Sequence, residues 1–197
     1  LVRGLDAGLV PLLRQWRARR NSHGLEIRPM DRAGPEVDAL WGRGRGSYQF
    51  VLARSSRHLS WRYLCCPSRQ YRIWGAYAGQ ELCAYLIARE RIVQRWPWMR
   101  MGSLVDLFAE PGARGVNALR LLVAEAVAGL CEDGVGAIMV QGVSPQLRPA
   151  LCGNGFFQIP RCTQTWVPLM VRWLDRPNGG AKSPGRVHFT AGDHDMG

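Results

Sequence analysis

The stretch from Val105 to Leu122 reads VDLFAEPGARGVNALRLL. It sets two carboxylates, Asp106 and Glu110, and one guanidinium, Arg114, around a chain break at Pro111-Gly112. A carboxylate at the end of a strand can accept a proton from a reacting amine. It can equally pair with a nearby arginine, and Glu110 can serve the following helix as an N-terminal acid. A glycine loop at a helix start offers N–H donors and the positive end of the helix dipole to an anion. Other reactive residues are more scattered. Asp193, His194 and Asp195 are adjacent, and three adjacent residues do not readily converge on one metal, so a solvated tail is expected and no metal is assigned. His188 lies just before that tail. The six cysteines (Cys65, Cys66, Cys83, Cys131, Cys152 and Cys162) contain no C-x-x-C pair, and free, mostly buried thiols are expected. Trp96 and Trp98 flank Pro97 in an arginine-rich loop, either a substrate-facing patch or a half-buried hairpin tip.

The surrounding pattern says what must position these groups. Residues 5–20 read as an amphipathic helix and residues 25–29 as a short strand. Pro35 opens a second helix, with Val37, Leu40 and Trp41 facing the core, and Ser56–Tyr63 forms another. Tyr71–Tyr77 and Leu82–Ala88 alternate around Ala78-Gly79-Gln80 and read as a hairpin. Leu104–Ala109 is a third strand. Past Pro111 and Gly112, Leu119, Leu122, Val123, Ala126, Val127 and Leu130 recur at helical spacing. Ala137–Val140 is a buried strand. Ser144 and Pro145 start a helix carrying Leu147, Leu151 and a buried Cys152. Phe156–Ile159, the apolar run Trp166–Trp173 and Val187–Thr190 complete the series, with a turn-rich loop over 177–185. Antiparallel pairing in the first half and strand–helix–strand crossovers in the second predict an α/β fold: a mixed sheet with helices on both faces.

This order resembles the GNAT acyltransferase fold, and the segment Val105–Leu122 is similar to that family's acetyl-CoA motif. Leu107 and Ala109 match its strand, Pro111 its proline, Arg114 and Gly115 the first half of its loop, and Leu119, Leu121 and Leu122 its helix. Val116 and Asn117 stand where the family carries a second pair of small residues, and the loop is about one residue short. The resemblance implies an acyltransferase that takes acetyl-CoA and modifies an amine on a small molecule or peptide. It implies a cofactor groove along Leu107, Phe108, Ala109, Arg114, Gly115, Val116 and Asn117, with Asp106 the first candidate base and Glu110 the second. No Tyr stands in Leu147–Phe157, where the family places its acid. SSRHLSWRY at Ser55–Tyr63, YRIWGAYAGQELCAYLI, LRPALCGNGFF and VHFTAGDHDMG resemble one branch of GNAT-like proteins in which this domain follows another. Residues 1–24 would then be a connecting helix and 25–197 the GNAT-like domain.

Composition narrows the alternatives. The 197 residues, 47% hydrophobic, suit one domain with an adequate core. No run reaches the ~18 apolar residues of a membrane span, and no signal peptide is visible, so a cytoplasmic protein is expected. The net charge is +11, almost all of it from arginine, since Lys182 is the only lysine. Residues 46–101 carry nine Arg against Glu81 and Glu90, while 102–142 are acidic. A nucleic-acid partner is disfavoured because the aromatics fall in core elements rather than interleaving with arginine. An inactive interaction or regulatory module on the same fold is the principal alternative.

Overall fold

The computed structural model describes residues 24–67, 70–93, 96–144, 146–157 and 187–190. The expected first helix, the Trp166–Trp173 run, the 177–185 loop, Cys162 and His194 lie outside the described residues.

Strand β1 (Glu26–Pro29) is followed by helix α1 (Pro35–Gly44), a 3-10 turn and the two-residue strand β2 (Phe50–Val51). Helix α2 (Ser56–Leu59) runs into a π-helical turn over Ser60–Leu64. Three long strands come next: β3 (Tyr71–Ala78), β4 (Glu81–Val93) and β5 (Trp96–Ala109). Helix α3 (Ala113–Glu132) leads to β6 (Ala137–Val140), β7 (Gly142–Val143), α4 (Leu147–Cys152) and β8 (Val187–Thr190). The main sheet has the order β1-β3-β4-β5-β6, antiparallel except for the parallel β5–β6 pair. A second sheet has the order β2-β8-β7.

Side-chain alternation along the central strands feeds two cores. Ala84, Leu86 and Ala88 of β4 join Leu119, Leu122, Ala126 and Leu130 of α3 on one face. Tyr85 and Ile87 join Val37, Leu40, Leu59 and Tyr63 on the other. Helices therefore cover both faces, as expected for the mixed α/β sheet. Helix α3 follows from its composition: Ala118, Ala124, Ala126 and Ala128 are strong helix formers whose small side chains let the helix lie close against the strands. Helix α1 has Pro35 at its start, Glu36 and Asp38 in the first turn and Arg43 in the last, the charge order a helix dipole favours. Asp38 also accepts hydrogen bonds from the Ser56 N–H (2.8 Å) and hydroxyl (2.6 Å), which ties α1 to α2.

Several local expectations are corrected. Strands β4 and β5 are longer than their apolar runs, because cross-strand pairing continues through the arginine-bearing segments Arg89–Ile92 and Arg100–Ser103. Trp96, Pro97 and Trp98 consequently begin β5 instead of forming a loop. Helix α4 begins at Leu147, one turn later than Ser144, whose hydroxyl accepts from the Gln146 N–H at 3.4 Å. Phe156 and Phe157 are in no strand, and Phe157 is 85% exposed. Of the five described cysteines only Cys83 is buried, and Cys152 is exposed; its six-residue helix is too short to cover both its sides.

Leu122 is fully buried between α3 and the sheet. Leu122→Ala is expected to lower unfolding free energy by about 2–5 kcal/mol, with a chemical-denaturation midpoint shifted accordingly. An unchanged midpoint would mean that α3 does not dock through this stripe.

Candidate active site

The parallel pair β5–β6 holds together only from Met101↔Ala137 to Leu104↔Val140. Strand β5 then runs on to Ala109, still paired with β4, while the chain of β6 turns away to pair through β7 with β8. Among the described residues, the sheet parts along Val105–Ala109. The Glu110 N–H donates to the Cys83 carbonyl at 2.9 Å. Since peptide groups alternate direction along a strand, those of Phe108 face β4, and those of Leu107 and Ala109 face the parting.

Beyond β5 the backbone reverses at Gly112, whose φ of +95° is a conformation glycine adopts without strain. Helix α3 starts immediately. Its N-terminus has no side-chain cap and no acid in its first turn. Among the described residues, the N–H groups of Ala113, Arg114 and Gly115 have no hydrogen-bond partner, whereas Val116 N–H already donates to the Gly112 carbonyl at 3.2 Å. A Cβ on residue 115 would lie 2.0 Å from the Glu110 carbonyl oxygen, so glycine is what lets the helix begin against the strand end. Val116 at the end of the first turn and Asn117 just after it are half-buried.

The charged residues of the motif are engaged with each other. Arg114 pairs with both Glu110 oxygens and with Glu81 at 3.1 Å. Arg43 of α1 reaches Glu81 at 3.4 Å and Glu110 at 3.5 Å, and donates to the Leu82 carbonyl at 2.6 Å. Two guanidinium groups and two carboxylates thereby tie α1, the β3–β4 turn and the start of α3 together. Arg114 is half exposed, and its paired carboxylates hold its proton more firmly still.

Asp106 sits differently. The register shift between Ile87 and Ala88 leaves Val105 as an extra residue, a β-bulge, so Val105 and Asp106 both turn toward the α1 face. Strict alternation from Leu104 would have aimed Asp106 into the apolar core under α3. Instead its Oδ1 accepts from Arg54 Nε and Nη2, each at 3.2 Å, and from the Thr190 hydroxyl at 2.8 Å. Its Oδ2 accepts from the Tyr85 hydroxyl at 2.9 Å. Asp106 is 2% exposed and Arg54, Tyr85 and Thr190 are 0%. Burial alone would raise the carboxyl's pKa, but the Arg54 charge, with the Thr190 and Tyr85 hydrogen bonds, holds it below the ordinary value. Burial and the facing carboxylate push the Tyr85 phenol well above its usual value.

His188 lies beside this cluster, packed edge-on to Phe108 at 5.3 Å and tilted against Tyr48 at 5.1 Å. Burial, then the Arg54 charge, push its pKa down to about 3, against the opposing pull of Asp106 and the nearby Leu107 peptide. Neither ring nitrogen meets hydrogen-bond geometry with another described residue. Tyr48 leans the other way: its hydroxyl donates to Gln146 Oε1 at 3.0 Å, while Gln146 Nε2 donates to the Glu110 carbonyl at 3.2 Å.

The motif residues thus divide. The backbone of Leu107 and Ala109 and the start of α3 border the parting. The side chains of Leu107, Phe108 and Ala109 are core, with Phe108 packed so closely on α1 that a Cβ on Gly44 would come within 2.6 Å of its ring. Asp106 and Glu110 are anchored by arginines. Arg54, Tyr85, Thr190, Tyr48 and Gln146 escaped the sequence reading. Arg54 is one of many arginines and lies 52 residues from its partner, and no local pattern singles it out. Among the described residues no group of three metal-ligating side chains gathers, and no helix is long and apolar enough to cross a membrane.

Comparisons with known proteins place this geometry. No family model and no curated protein sequence matches the chain. Among solved structures, it is similar to the ribosomal-protein-alanine N-acetyltransferase of Brucella melitensis biovar Abortus 2308, at 12% identity and TM-score 0.53 over 76% of this chain and 99% of that one. It is similar to a probable acetyltransferase at 14% identity and TM-score 0.55, over 75% and 99%. An acetyltransferase of Trypanosoma brucei gives 14% identity and TM-score 0.52, over 74% and 99%. At these identities the likeness speaks for architecture. The chain has the α/β fold of the GNAT acetyltransferases, a mixed sheet with helices on both faces.

The His188 environment makes a prediction about pH. Its folded pKa is below the unfolded value of about 6.5, so the folded state binds fewer protons. Stability is therefore full above pH 6.5 and falls toward pH 3, by up to about 1.4 kcal/mol per pH unit. Denaturation midpoints of His188→Leu are expected to stay flat between pH 6.5 and 4, below which the depressed carboxyl of Asp106 takes over. A variant slope equal to the wild-type slope would place the titrating group elsewhere. Separately, Arg54→Met strands a buried carboxylate and is expected to cost about 3–5 kcal/mol, read by chemical denaturation at pH 7; a loss below 1 kcal/mol would contradict the burial of this pair.

Proposed function

We propose that the domain is an acyl-CoA-dependent N-acyltransferase. It takes an acyl group, most simply acetyl, from the CoA thioester and passes it to an amine of a small molecule or peptide. The observation that carries this reading is the uncapped, acid-free start of a 20-residue helix at the mouth of a parted sheet. Such a helix start suits a diphosphate. The outward peptide groups of Leu107 and Ala109 suit the amides of the cofactor arm, as a neighbouring strand would. The acetyltransferases sharing the fold support the same reading.

In this reading the chemistry is aminolysis. The amine nitrogen attacks the thioester carbonyl, the C–S bond breaks, and the amine's proton ends on the thiol. Most of the acceleration comes from holding two substrates in line. Asp106 is weakly basic and enclosed, so we give it a positioning role: it keeps β5 and β8 at fixed separation through Arg54 and Thr190. Glu110 and Arg114 position the start of α3 in the same sense. The donor supplies the activated acyl group, and no metal is invoked. A cytoplasmic location and a preceding domain in a longer chain belong to the same proposal. One observation favours a second reading, a domain that binds the thioester without transferring it: both carboxylates of the motif are already paired with arginines.

The test sets binding against helix stability. Acetyl-CoA at 100 times its Kd is expected to stabilise the protein by about 2.7 kcal/mol. Ala113→Glu puts a negative charge in the exposed first turn of α3. It is expected to raise the stability of the free protein slightly, by about 0.3–1 kcal/mol, and to abolish the acetyl-CoA shift. A shift that survives the substitution in the folded variant would remove the helix start as the diphosphate site. Thiol release with a panel of amines then separates transfer from binding alone.

A further inference from the structure

We propose that Gln146 is an affinity-setting strut, whose side-chain amide takes the place on the strand end that the amide-bearing arm of the donor must pass. This rests on the acyl-CoA reading and deepens it. Strand β5 and the β6–β7 chain run in one direction at a constant offset, Met101 with Ala137 through Leu104 with Val140. Continuing that offset across the parting brings Glu110 opposite Gln146, 36 residues apart. The backbone does not pair there; the side chain does. Gln146 Nε2 donates to the Glu110 carbonyl at 3.2 Å, and the Tyr48 hydroxyl donates to Oε1 at 3.0 Å. The carbonyl can only accept, so the amide is oriented with its nitrogen toward the strand. The parting is thus bounded at one end by the Leu104–Val140 pair and bridged at the other by one glutamine.

The position matters because Glu110 stands between the two features that suit the donor. The peptide groups of Leu107 and Ala109 that face away from β4 lie before it, and the helix start at Ala113–Gly115, without a side-chain cap, lies after it. A ligand that uses both must run past the Glu110 carbonyl. A primary amide offers the same donor and acceptor as the secondary amides of a pantetheine arm. Gln146 therefore satisfies the strand end in the free protein and competes with the arm for it. Tyr48, half-buried against Phe108 and His188, holds the strut in place from the α1 side.

The inference gives the opposite sign to an ordinary binding residue. Gln146→Ala is expected to bind acetyl-CoA roughly tenfold more tightly by calorimetry, since up to two net hydrogen bonds no longer have to be broken. Tyr48→Phe, which loosens the strut without removing it, is expected to tighten binding by a smaller factor, and serves if the alanine variant does not fold. ADP carries a diphosphate and no amide arm, and its affinity is expected to be the same in all three proteins. Weaker or unchanged acetyl-CoA binding in both variants overturns the strut while leaving the acyl-CoA reading intact. An equal gain for ADP also overturns it, because Gln146 would then obstruct the helix start instead of the arm. If neither wild type nor variants bind acetyl-CoA, the acyl-CoA reading falls and the strut falls with it.

Discussion

A β-strand that loses its neighbour leaves a row of peptide groups that must be paired with something or kept wet. Here β5 loses its parallel neighbour after Leu104 and continues for another five residues. The rest of the domain is arranged around that parting. On the α1 face a buried ion pair, Arg54–Asp106, braces it. On the open side lie the peptide groups of Leu107 and Ala109. At its end the start of α3 is pressed against the Glu110 carbonyl.

Burying an arginine and an aspartate costs more in lost hydration than their attraction returns, unless the remaining lone pairs are used. Thr190 and Tyr85 use them. The pair is then best understood as a device of geometry. It joins the segment after β2, the central strands β4 and β5, and the late strand β8, which are distant in the chain. It also depends on the bulge at Val105, without which the carboxylate would face an apolar core. The network of Arg43, Glu81, Arg114 and Glu110 does a similar job at the edge of the domain, where part-exposed arginines close over the buried Glu110 carboxylate. Its value lies in fixing the angle at which α3 leaves the strand.

The same arrangement limits what the carboxylates can do chemically. Asp106 has a depressed proton affinity and Glu110 is bound to two guanidinium groups. Asp106 does not resemble a carboxylate poised near neutrality for proton transfer. A reaction at this site would draw on placement more than on a strong base, which agrees with aminolysis of an activated thioester. Helix α4 carries no tyrosine, and the Tyr48 hydroxyl reaches the residue before it, donating to Gln146 Oε1.

Much of the architecture was legible in the chain. The helical stripe Leu119–Leu130, the hairpin around Gly79 and the break at Pro111-Gly112 are local patterns, and local periodicity is written residue by residue. The motif Val105–Leu122 also announced where a strand would stop and a helix begin. What the chain by itself could not reveal was the direction of side chains at the parting. One extra residue at Val105 reversed the facing of Asp106, and a register shift has no signature in composition. The partners of Asp106 lie 21, 52 and 84 residues away, so only the folded sheet could select Arg54 from among so many arginines. The sequence determined the elements and the break between β5 and α3, because those follow from short-range sterics and hydrophobic period. Tertiary structure alone decided which charges are buried and what spans the opening, because those depend on contacts between distant segments.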